Sequence, residues 1–430
     1  MKCKFWPAIF STLFAVLVLT ACGGGGGGGG GGTTAPIRVF AAGDTIGNFE
    51  LWKTDGTEAG TVRVKDINPG PVGSGAGGTG FTFFNGAWYF VADDGASGRE
   101  LWKTDGTEAG TMRVRDINPT ANAGSHSSPI YFTVFNGALY FSADDGVNGR
   151  ELWKTDGTEA GTMMVRNINA TALGASSSPR VFAILTTGSG PLASNELFFS
   201  ATDGASGEEL WKTDGTEAGT VRVKDINTGP GASSSPRELT LFNGALYFRA
   251  NDSTSGPELW KTNGTEAGTV RVRDINATVG VGSSPEAFTV LNGALYFSAD
   301  NSVNGLELWK TDGTEAGTMM VKDIDPVNSS TPWAFAVFNG ALYFSANDGV
   351  NGRELWKTDG TEAGTAMVRD INATVAGAGS SPYAFTALNG ALQFIANDGV
   401  SGYELWKTDG TEAGTMRVKD ICPDACSSLD

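Results

Sequence analysis

The chain has 430 residues, 62 of them glycine, and a formal net charge of −17. This acidity excludes electrostatic binding of nucleic acid or of an anionic bilayer, and it is compatible with a soluble surface or with cation binding. The single histidine, His126, argues against a histidine-based metal site and against a Ser-His-Asp catalytic triad.

The N-terminus has the pattern of a secretion signal. Lys2 and Lys4 precede an apolar run that is too short to be a convincing membrane-spanning helix. The run ends in Leu-Thr-Ala-Cys at 19–22, which resembles the lipobox of bacterial lipoproteins, where the cysteine is acylated. We therefore predict a signal peptide over residues 1–21 and lipidation of Cys22. The alternative is an ordinary cleaved signal peptide with a cysteine there by chance.

Ten consecutive glycines, Gly23–Gly32, follow the cysteine. They formally contain the G-x-G-x-x-G of nucleotide-binding loops, but no strand precedes them and no helix follows. We interpret residues 22–35 as a lipidated cysteine with a flexible tether, and ten glycines reach roughly 16–19 Å. A glycine after the lipobox cysteine favours the outer membrane.

From residue 36 to 421 the chain is organised by an internal repeat. The stretch Glu-Leu-Trp-Lys-Thr-Asp-Gly-Thr-Glu-Ala-Gly-Thr occurs eight times, and one copy differs, with Asn263 in place of aspartate. Consecutive copies lie 47 to 58 residues apart. A fixed period of this size is typical of repeat architectures.

One repeat reads as four short strands. In the unit from Ile130 to Asn169 the patterns predict strands over Tyr131–Phe135, Ala138–Ala143, Glu151–Thr155 and Thr162–Ile168. Asn136-Gly137 is a strong hairpin signal between the first two strands. A variable linker rich in glycine, serine and proline leads to the next unit.

These patterns predict an all-β fold, a β-propeller of about eight four-stranded blades over residues 36–421. The first blade is predicted to have three strands, because the opening unit begins at Ile37 with a second-strand pattern. A seven-bladed ring with a loose terminal unit and an open solenoid are the alternatives.

The repeat resembles a known bacterial family. The twelve-residue motif, Asp116-Ile117-Asn118, the linker Ser127-Ser128-Pro129 and the strand Asn-Gly-Ala-Leu-Tyr-Phe are similar to the ELWxxDGT repeat family, whose members are often labelled hyalin-like. The resemblance covers Ile37 to Ile421. It implies a secreted or surface propeller-like protein and no particular activity.

The tryptophans of the repeat are predicted to fill the space between blades as a structural core, with carbohydrate stacking as the alternative. They are Trp52, Trp102, Trp153, Trp211, Trp260, Trp309, Trp356 and Trp406.

The aspartate of each Thr-Asp-Gly-Thr turn is predicted to cap amides of its own turn, with calcium binding as the alternative. Asparagine in one copy keeps the hydrogen bonding without the charge, which favours capping. The residues are Asp55, Asp105, Asp156, Asp214, Asn263, Asp312, Asp359 and Asp409.

A second set of turns, between the second and third strands, carries calcium candidates, because clustered acids around one rim could hold Ca²⁺. Turn chemistry explains most of them, and no other cofactor is predicted. The candidates are Asp94, Asp145, Asp252, Asp348 and Asp398.

The tail 422–430 carries Cys422 and Cys426, which are predicted to form a disulfide. Two cysteines without further ligands make a poor zinc site, and disulfides persist outside the cytoplasm.

Some residues occur in single units only. An asymmetric site should be lined by such residues, and we expect it on the variable face, where the linkers meet the turns between second and third strands. The sequence does not bring them together, so no catalytic residue is assigned. They include Trp88, Arg180, Arg237, Arg249, Trp333 and Tyr383.

We therefore expect a non-enzymatic, monomeric, lipid-anchored propeller of the outer membrane, on its periplasmic or cell-surface face. It would act as a binding, scaffold or adhesion module for an envelope protein or glycan, touch the membrane through its lipid alone and bind no nucleic acid. One alternative is a calcium-stabilised surface structural protein. The other is a propeller glycosidase or lyase, which needs unlike residues to converge, including positioned carboxylates or an arginine cluster.

Overall fold

The computed structural model describes residues 38–43, 48–120, 125–187 and 194–419. The predicted signal peptide, Cys22, the glycine tether, Cys422 and Cys426 lie outside these residues. The described part consists of strands, turns and irregular segments without a helix, so it contains no helix able to cross a membrane.

The described strands form eight antiparallel sheets, which are numbered 1 to 8 in chain order. Sheet 1 comprises β1 (Arg38–Gly43), β2 (Phe49–Thr54) and β3 (Val62–Lys65). Sheet 2 comprises β4 (Thr82–Phe84), β5 (Ala87–Asp93), β6 (Arg99–Thr104) and β7 (Met112–Arg115). Sheet 3 comprises β8 (Ile130–Phe135), β9 (Ala138–Asp144), β10 (Arg150–Thr155) and β11 (Met163–Arg166). Sheet 4 comprises β12 (Arg180–Thr187), β13 (Ser194–Thr202), β14 (Glu208–Thr213) and β15 (Val221–Lys224).

The remaining sheets repeat the four-stranded plan. Sheet 5 comprises β16 (Arg237–Phe242), β17 (Ala245–Asn251), β18 (Pro257–Thr262) and β19 (Val270–Arg273). Sheet 6 comprises β20 (Glu286–Leu291), β21 (Ala294–Asp300), β22 (Leu306–Thr311) and β23 (Met319–Lys322). Sheet 7 comprises β24 (Trp333–Phe338), β25 (Ala341–Asn347), β26 (Arg353–Thr358) and β27 (Ala366–Arg369). Sheet 8 comprises β28 (Tyr383–Leu388), β29 (Ala391–Asn397), β30 (Tyr403–Thr408) and β31 (Met416–Lys419).

This strand content confirms the predicted fold class, an eight-bladed β-propeller whose first blade has three strands. The Asn-Gly hairpins have positive φ at both central residues, for example 48° at Asn292 and 76° at Gly293. Such angles match the twist of the strands that they join.

The fourth strand of the repeat is shorter than predicted. In sheet 3 it covers Met163–Arg166 and does not extend from Thr162 to Ile168. The amide of Ile168 donates instead to Glu151 Oε2 at 2.9 Å, so this segment leaves the ladder to bond a buried carboxylate.

The buried glutamate of the motif ties each linker to its sheet. Glu307 Oε2 accepts hydrogen bonds from Ile324 N at 2.9 Å and from Ser330 Oγ at 2.6 Å, and Oε1 accepts one from Ser330 N at 2.8 Å. The same bonds recur at Glu50, Glu100, Glu151, Glu209, Glu258 and Glu354. They hold one serine of each linker, in most linkers the first serine of Ser-Ser-Pro, and thereby place the strand that follows.

The described chain falls into two compact units. The first runs to Phe132 and adds Asp144–Gly146 and Gly157–Thr162, and the second holds Thr133–Ala143, Val147–Asp156 and the chain from Met163 onward.

Each unit has its core between consecutive sheets. In the first unit Leu51 of sheet 1 packs with Phe90 and Trp102 of sheet 2. In the second unit Leu259 of sheet 5 packs with Trp309 of sheet 6, and the same arrangement recurs along the unit. A second strand such as β21 is buried at consecutive positions because sheets pack on both of its faces.

Consecutive sheets are also joined by basic side chains. Lys261 Nζ of sheet 5 donates to Gly313 O of sheet 6 at 2.8 Å, and Lys310 Nζ of sheet 6 donates to Gly360 O of sheet 7 at 2.8 Å. A second contact per junction comes from the end of the fourth strand, as from Lys322 Nζ to Thr365 O at 2.9 Å. The lysine of the motif therefore has a structural role.

Candidate functional site

The first strands of sheets 4 to 8, named leading strands, lie next to one another in the second unit. Each is entered through a left-handed residue followed by proline, such as Ser235 with φ of 47° or Thr331 with φ of 46°. The second residue of each strand is left-handed as well, for example Val181 at 59° and Glu238 at 62°.

The first residue of each leading strand, such as Arg237, stands directly before a left-handed residue, and this backbone conformation sets the direction of its side chain. A register shift of the ladder follows the first residue of each leading strand, as between Arg237 and Thr240. Bulges of this kind re-aim a side chain, and left-handed backbone at residues other than glycine is strained and concentrates at functional sites. The first residues of the leading strands are named the row, and they are Arg180, Arg237, Glu286, Trp333 and Tyr383.

The row lies where the linkers join the leading strands, on the face where the sequence predicts a variable surface. The linkers touch the turns between second and third strands, as in the hydrogen bonds from Gly231 N to Ala205 O at 3.0 Å and from Gly280 N to Thr254 O at 2.9 Å. The twelve-residue motif is nearly uniform, whereas the row carries five residues of four different types.

The residue that precedes the motif glutamate is the first residue of each third strand. It lies close to the row, because the linker bonds to its carbonyl oxygen. Ser235 N donates to Glu208 O at 3.1 Å, two residues before Arg237. Glu208 is thereby placed between the row residue of its own sheet, Arg180, and that of the next sheet.

Two arginines of the row converge on Glu208. Arg180 binds it with Nε to Oε1 at 2.8 Å and Nη2 to Oε2 at 2.5 Å. Arg237 Nη1 donates to Oε1 at 3.0 Å, and Ser200 Oγ donates to the same oxygen at 2.6 Å. Burial alone would raise the pKa of Glu208, but the hydrogen bonds from Arg180, Arg237 and Ser200 outweigh it and lower the pKa to about 2.

A second ion pair continues the row. Arg249 stands opposite Arg237 in the register of β16 and β17, and its Nη1 contacts Glu286 Oε1. Glu286 is 59 % exposed, whereas the side chain of Arg249 is 26 % exposed. Three arginines and two glutamates thus form ion pairs along the row.

The remaining row residues are aromatic. Trp333 is 43 % exposed. The ring of Tyr383 meets that of Tyr403 edge to face, with 5.9 Å between centroids.

The repeat tryptophans are placed between sheets. Those of sheets 2 to 8 are 5–7 % exposed, and Trp52 of sheet 1 is half-buried.

The turn aspartates face their own turns. Asp312 Oδ1 accepts hydrogen bonds from Thr314 N at 2.8 Å and from Thr314 Oγ1 at 2.7 Å, and Asn263 accepts the same two from Thr265 at 3.1 and 2.7 Å. The asparagine therefore makes the bonds of the aspartate without its charge.

The calcium candidates also bond turn amides. Asp94 Oδ1 accepts from Ala96 N at 3.0 Å and from Ser97 N at 2.7 Å, and Asp348 makes the matching pair. Asp252 and Asp398 additionally face arginines at 3.2 Å. Asp145 lies in the equivalent turn after β9. Over the described residues no group of three or more His, Cys, Asp or Glu is arranged to hold a metal ion.

Trp88 and His126 do not belong to the row. Trp88 packs on Phe83 with ring centroids 5.0 Å apart, and His126 Nδ1 accepts a hydrogen bond from Arg99 N at 2.8 Å.

Sequence reasoning singled out Arg180, Arg237 and Arg249 but missed their partners Glu208 and Glu286. A signal for both exists in the sequence. Glu208 precedes the motif glutamate, and Glu286 follows the Ser-Ser-Pro of its linker, and both positions vary from unit to unit.

No protein-family model and no curated protein matches the chain. Among solved structures it is similar to a puromycin hydrolase S511A mutant complexed with PGG (14 % identity, TM-score 0.39, covering 84 % of this chain and 57 % of that one). It is also similar to prolyl endopeptidase (13 %, 0.42, 78 % and 48 %) and to oligopeptidase B from Leishmania major (11 %, 0.42, 81 % and 49 %). The chain spans about half of the length of these proteins, and at such identities the likeness concerns the fold alone.

Peptidases are among the solved structures that share this fold, against the prediction of a non-enzymatic binding, scaffold or adhesion module. We do not retain that prediction. It rested on the lack of converging unlike residues in a uniform repeat, and the convergence of Arg180 and Arg237 on Glu208 removes that basis.

Proposed function

We propose that this chain is a propeller enzyme that acts on an acidic polysaccharide and binds a uronate carboxylate at the row. The observation that carries the proposal is the meeting of Arg180 and Arg237 at Glu208, beside the pair of Arg249 and Glu286. It is the arginine cluster required by the enzyme alternative considered from the sequence.

The electrostatics favour an anionic ligand. Two guanidinium groups meet at the carboxylate of Glu208. A substrate carboxylate would join them, since arginine binds carboxylates in a planar, often bidentate geometry. The side chains are partly buried, which strengthens such a contact relative to bulk water.

Of the two enzyme classes, the lyase fits better. A glycosidase needs a protonated carboxylic acid to protonate the leaving oxygen. Glu208 has a pKa of about 2, so it is ionised at neutral pH and cannot serve.

A lyase instead removes the proton next to the uronate carboxylate. The bond from the neighbouring carbon to the glycosidic oxygen breaks, a carbon–carbon double bond forms, and the leaving oxygen takes up a proton. Arginines at the carboxylate would stabilise the charge that develops on it. Arg180 and Arg237 are assigned to this binding role, and no residue is assigned as the base.

The test is an activity assay with purified full-length chain on polyuronates, following the ultraviolet absorbance of the unsaturated product. Arg237→Ala is expected to lower kcat/KM roughly 100-fold, the cost typical of removing one charge-stabilising group. Val327→Ala, at a linker position that is 86 % exposed, serves as the control. Absence of unsaturated product from every polyuronate, or an unchanged rate in Arg237→Ala, would refute the proposal.

We also propose that the chain is a monomeric lipoprotein of the outer membrane, anchored at Cys22, tethered by Gly23–Gly32 and related to the ELWxxDGT repeat proteins. The lipobox and the repeat support this, and an envelope glycan would be the partner. Cys22→Ala is expected to abolish incorporation of labelled fatty acid and to release the protein from membranes. Retention of both by the variant would exclude the anchor.

A further inference from the structure

We infer that sheets 7 and 8 carry a second subsite for the same substrate, in which Arg353 takes a carboxylate while Trp333 and Tyr383 flank the sugar ring. The inference rests on the proposed function and narrows its substrate to a polymer with acidic groups on successive sugars. Trp333 and Arg353 belong to sheet 7, and Tyr383 belongs to sheet 8.

Arg353 forms no ion pair with the described residues. It occupies in sheet 7 the place of Glu208 in sheet 4, the residue before the motif glutamate. Its Nη1 donates to Thr331 O at 2.8 Å and to Ser345 O at 3.4 Å, and its Nη2 donates to Thr331 Oγ1. All these acceptors are neutral oxygens, so the guanidinium is oriented without being neutralised.

Burial makes this charge costly. Arg353 is half-buried, and desolvation lowers the pKa of its guanidinium. A partly buried charge without a partner is destabilising, and a ligand carboxylate that pairs with it would recover that free energy on binding. The site thus favours an anion over a neutral group.

The backbone near Trp333 is in contact with this guanidinium, since Arg353 Nη1 donates to Thr331 O, two residues earlier. Trp333 pairs in register with Ser345, whose carbonyl oxygen accepts from Arg353. An indole that is 43 % exposed offers a flat apolar surface next to the charge. The apolar face of a sugar ring can stack on this surface while its carboxylate reaches Arg353.

The strand that carries Tyr383 also approaches Arg353. Ser381 N donates to Arg353 O at 2.9 Å, which brings the leading strand of sheet 8 to the arginine two residues before Tyr383. The edge-to-face contact with Tyr403 at 5.9 Å holds the ring of Tyr383 in place. An arginine bonded to the linkers that lead into a tryptophan and a tyrosine suits a ligand that combines a ring with a carboxylate, which an acidic peptide backbone does not.

The two subsites lie on one row. Arg180 and Arg237 belong to sheets 4 and 5, Trp333 and Tyr383 to sheets 7 and 8, and sheet 6 lies between them with Glu286 held by Arg249. A monomer can occupy one subsite only, whereas a longer oligomer can occupy both. The affinity should therefore rise with oligomer length, because the second contact is intramolecular.

The experiment is isothermal titration calorimetry of the full chain with oligogalacturonates, short and long, against a neutral cello-oligosaccharide and poly-glutamate. Trp333→Ala and Arg353→Gln are each expected to weaken binding of the long oligomer about 10-fold, the change that corresponds to a single lost contact of about 1.4 kcal/mol. Arg353→Lys keeps the charge in case the glutamine variant does not fold, and should bind better than it. Val337→Ala, on the same strand and 45 % exposed, should bind as wild type.

The outcomes separate the two proposals. If Arg237→Ala weakens binding while Trp333→Ala and Arg353→Gln do not, the second subsite is wrong and the proposed function stands. If no oligogalacturonate binds, the second subsite is wrong, and the activity assay on the other polyuronates decides the proposed function. If poly-glutamate binds as well as the long oligomer and Trp333→Ala has no effect on either, the ligand is a polyanion without a ring and the inference is overturned.

Discussion

At the residue scale, the glycine of the Asp-Gly turn shows how one sheet constrains the next. Tyr247 on the second strand of sheet 5 is buried and reaches the turn of sheet 6, where a Cβ on Gly313 would lie 2.2 Å from its hydroxyl oxygen. The same contact recurs between Tyr296 and Gly360. Burial, with the nearby Asp312 carboxylate, raises the pKa of Tyr247, so the phenol stays neutral.

We expect Gly313→Ala to lower the free energy of unfolding by about 2–4 kcal/mol, because it adds a steric clash to the strain of a φ of 96°. Gly56→Ala is the matched control, since Gly56 has φ of 90° and a Cβ added there would have no neighbour within 4 Å. That variant should cost about 1–2 kcal/mol. Chemical denaturation of both decides the point, and equal costs would show that the Tyr247 contact is not the constraint.

At the element scale, sheets are joined by apolar packing and by the basic contacts between them. The lysine of the motif donates to the next sheet from Lys261, Lys310 and Lys357. In sheet 4 the equivalent Lys212 instead pairs with Glu196 of its own sheet at 2.9 Å. The junction contacts are therefore a property of each pair of sheets and not of the repeat alone.

Lys310→Met should lower the free energy of unfolding by about 1–2 kcal/mol, because it leaves the Gly360 carbonyl without its charged donor. Lys407→Met is the control, since Lys407 makes no such bond to the described residues. Urea denaturation would show the difference, and amide hydrogen exchange should rise in the turn that contains Gly360. Two indistinguishable variants would mean that the junction bond adds nothing measurable.

At the scale of the whole molecule, buried carboxylates set the pH dependence of stability. Burial raises the pKa of the motif glutamates Glu100, Glu258 and Glu354, and it raises the pKa of Glu307 to about 7. A raised pKa means that the folded state binds more protons than the unfolded state between the two values. This contribution is therefore full below pH 4.5 and is lost by about pH 7 for Glu307.

The acidic limit has the opposite origin. The pKa of Glu208 lies at about 2, below its ordinary 4.5, so its contribution is present above pH 4.5 and is lost as the pH falls toward 2. We expect the melting temperature to be highest at about pH 5 and to decline toward pH 7. Calorimetric scans across pH test this, and a maximum at or above about pH 8 would contradict it.

Glu307→Gln tests which group causes the fall in melting temperature as the pH rises toward 7. The amide cannot ionise, so the fall in melting temperature between about pH 5 and 7 should become shallower, although the absolute value drops because one acceptor is lost. A slope identical to that of the wild type would assign the decline to other groups.

Much of the architecture could be predicted because the interactions that define it are local. The Asn-Gly pairs specify hairpins through their own φ angles, and strands such as Ala138–Asp144 follow from short apolar runs between turns. The strand pattern predicts that the fourth strand ends at Ile168, which is too late. The amide of Ile168 instead donates to Glu151, seventeen residues away. A contact at that separation has no signature in a strand pattern.

The candidate site was only half visible. Arg180, Arg237 and Arg249 stood out because they break a uniform repeat, but a residue type does not reveal its partner. The sequence alone determined the repeat, the strand order and the eight-sheet fold, since these depend on neighbours along the chain. The tertiary structure decided that Arg180 and Arg237 meet at Glu208 and that Arg353 bonds the linker before Trp333. The physical reason is that strands from successive repeats come together only when apolar faces pack and linkers are held by buried glutamates.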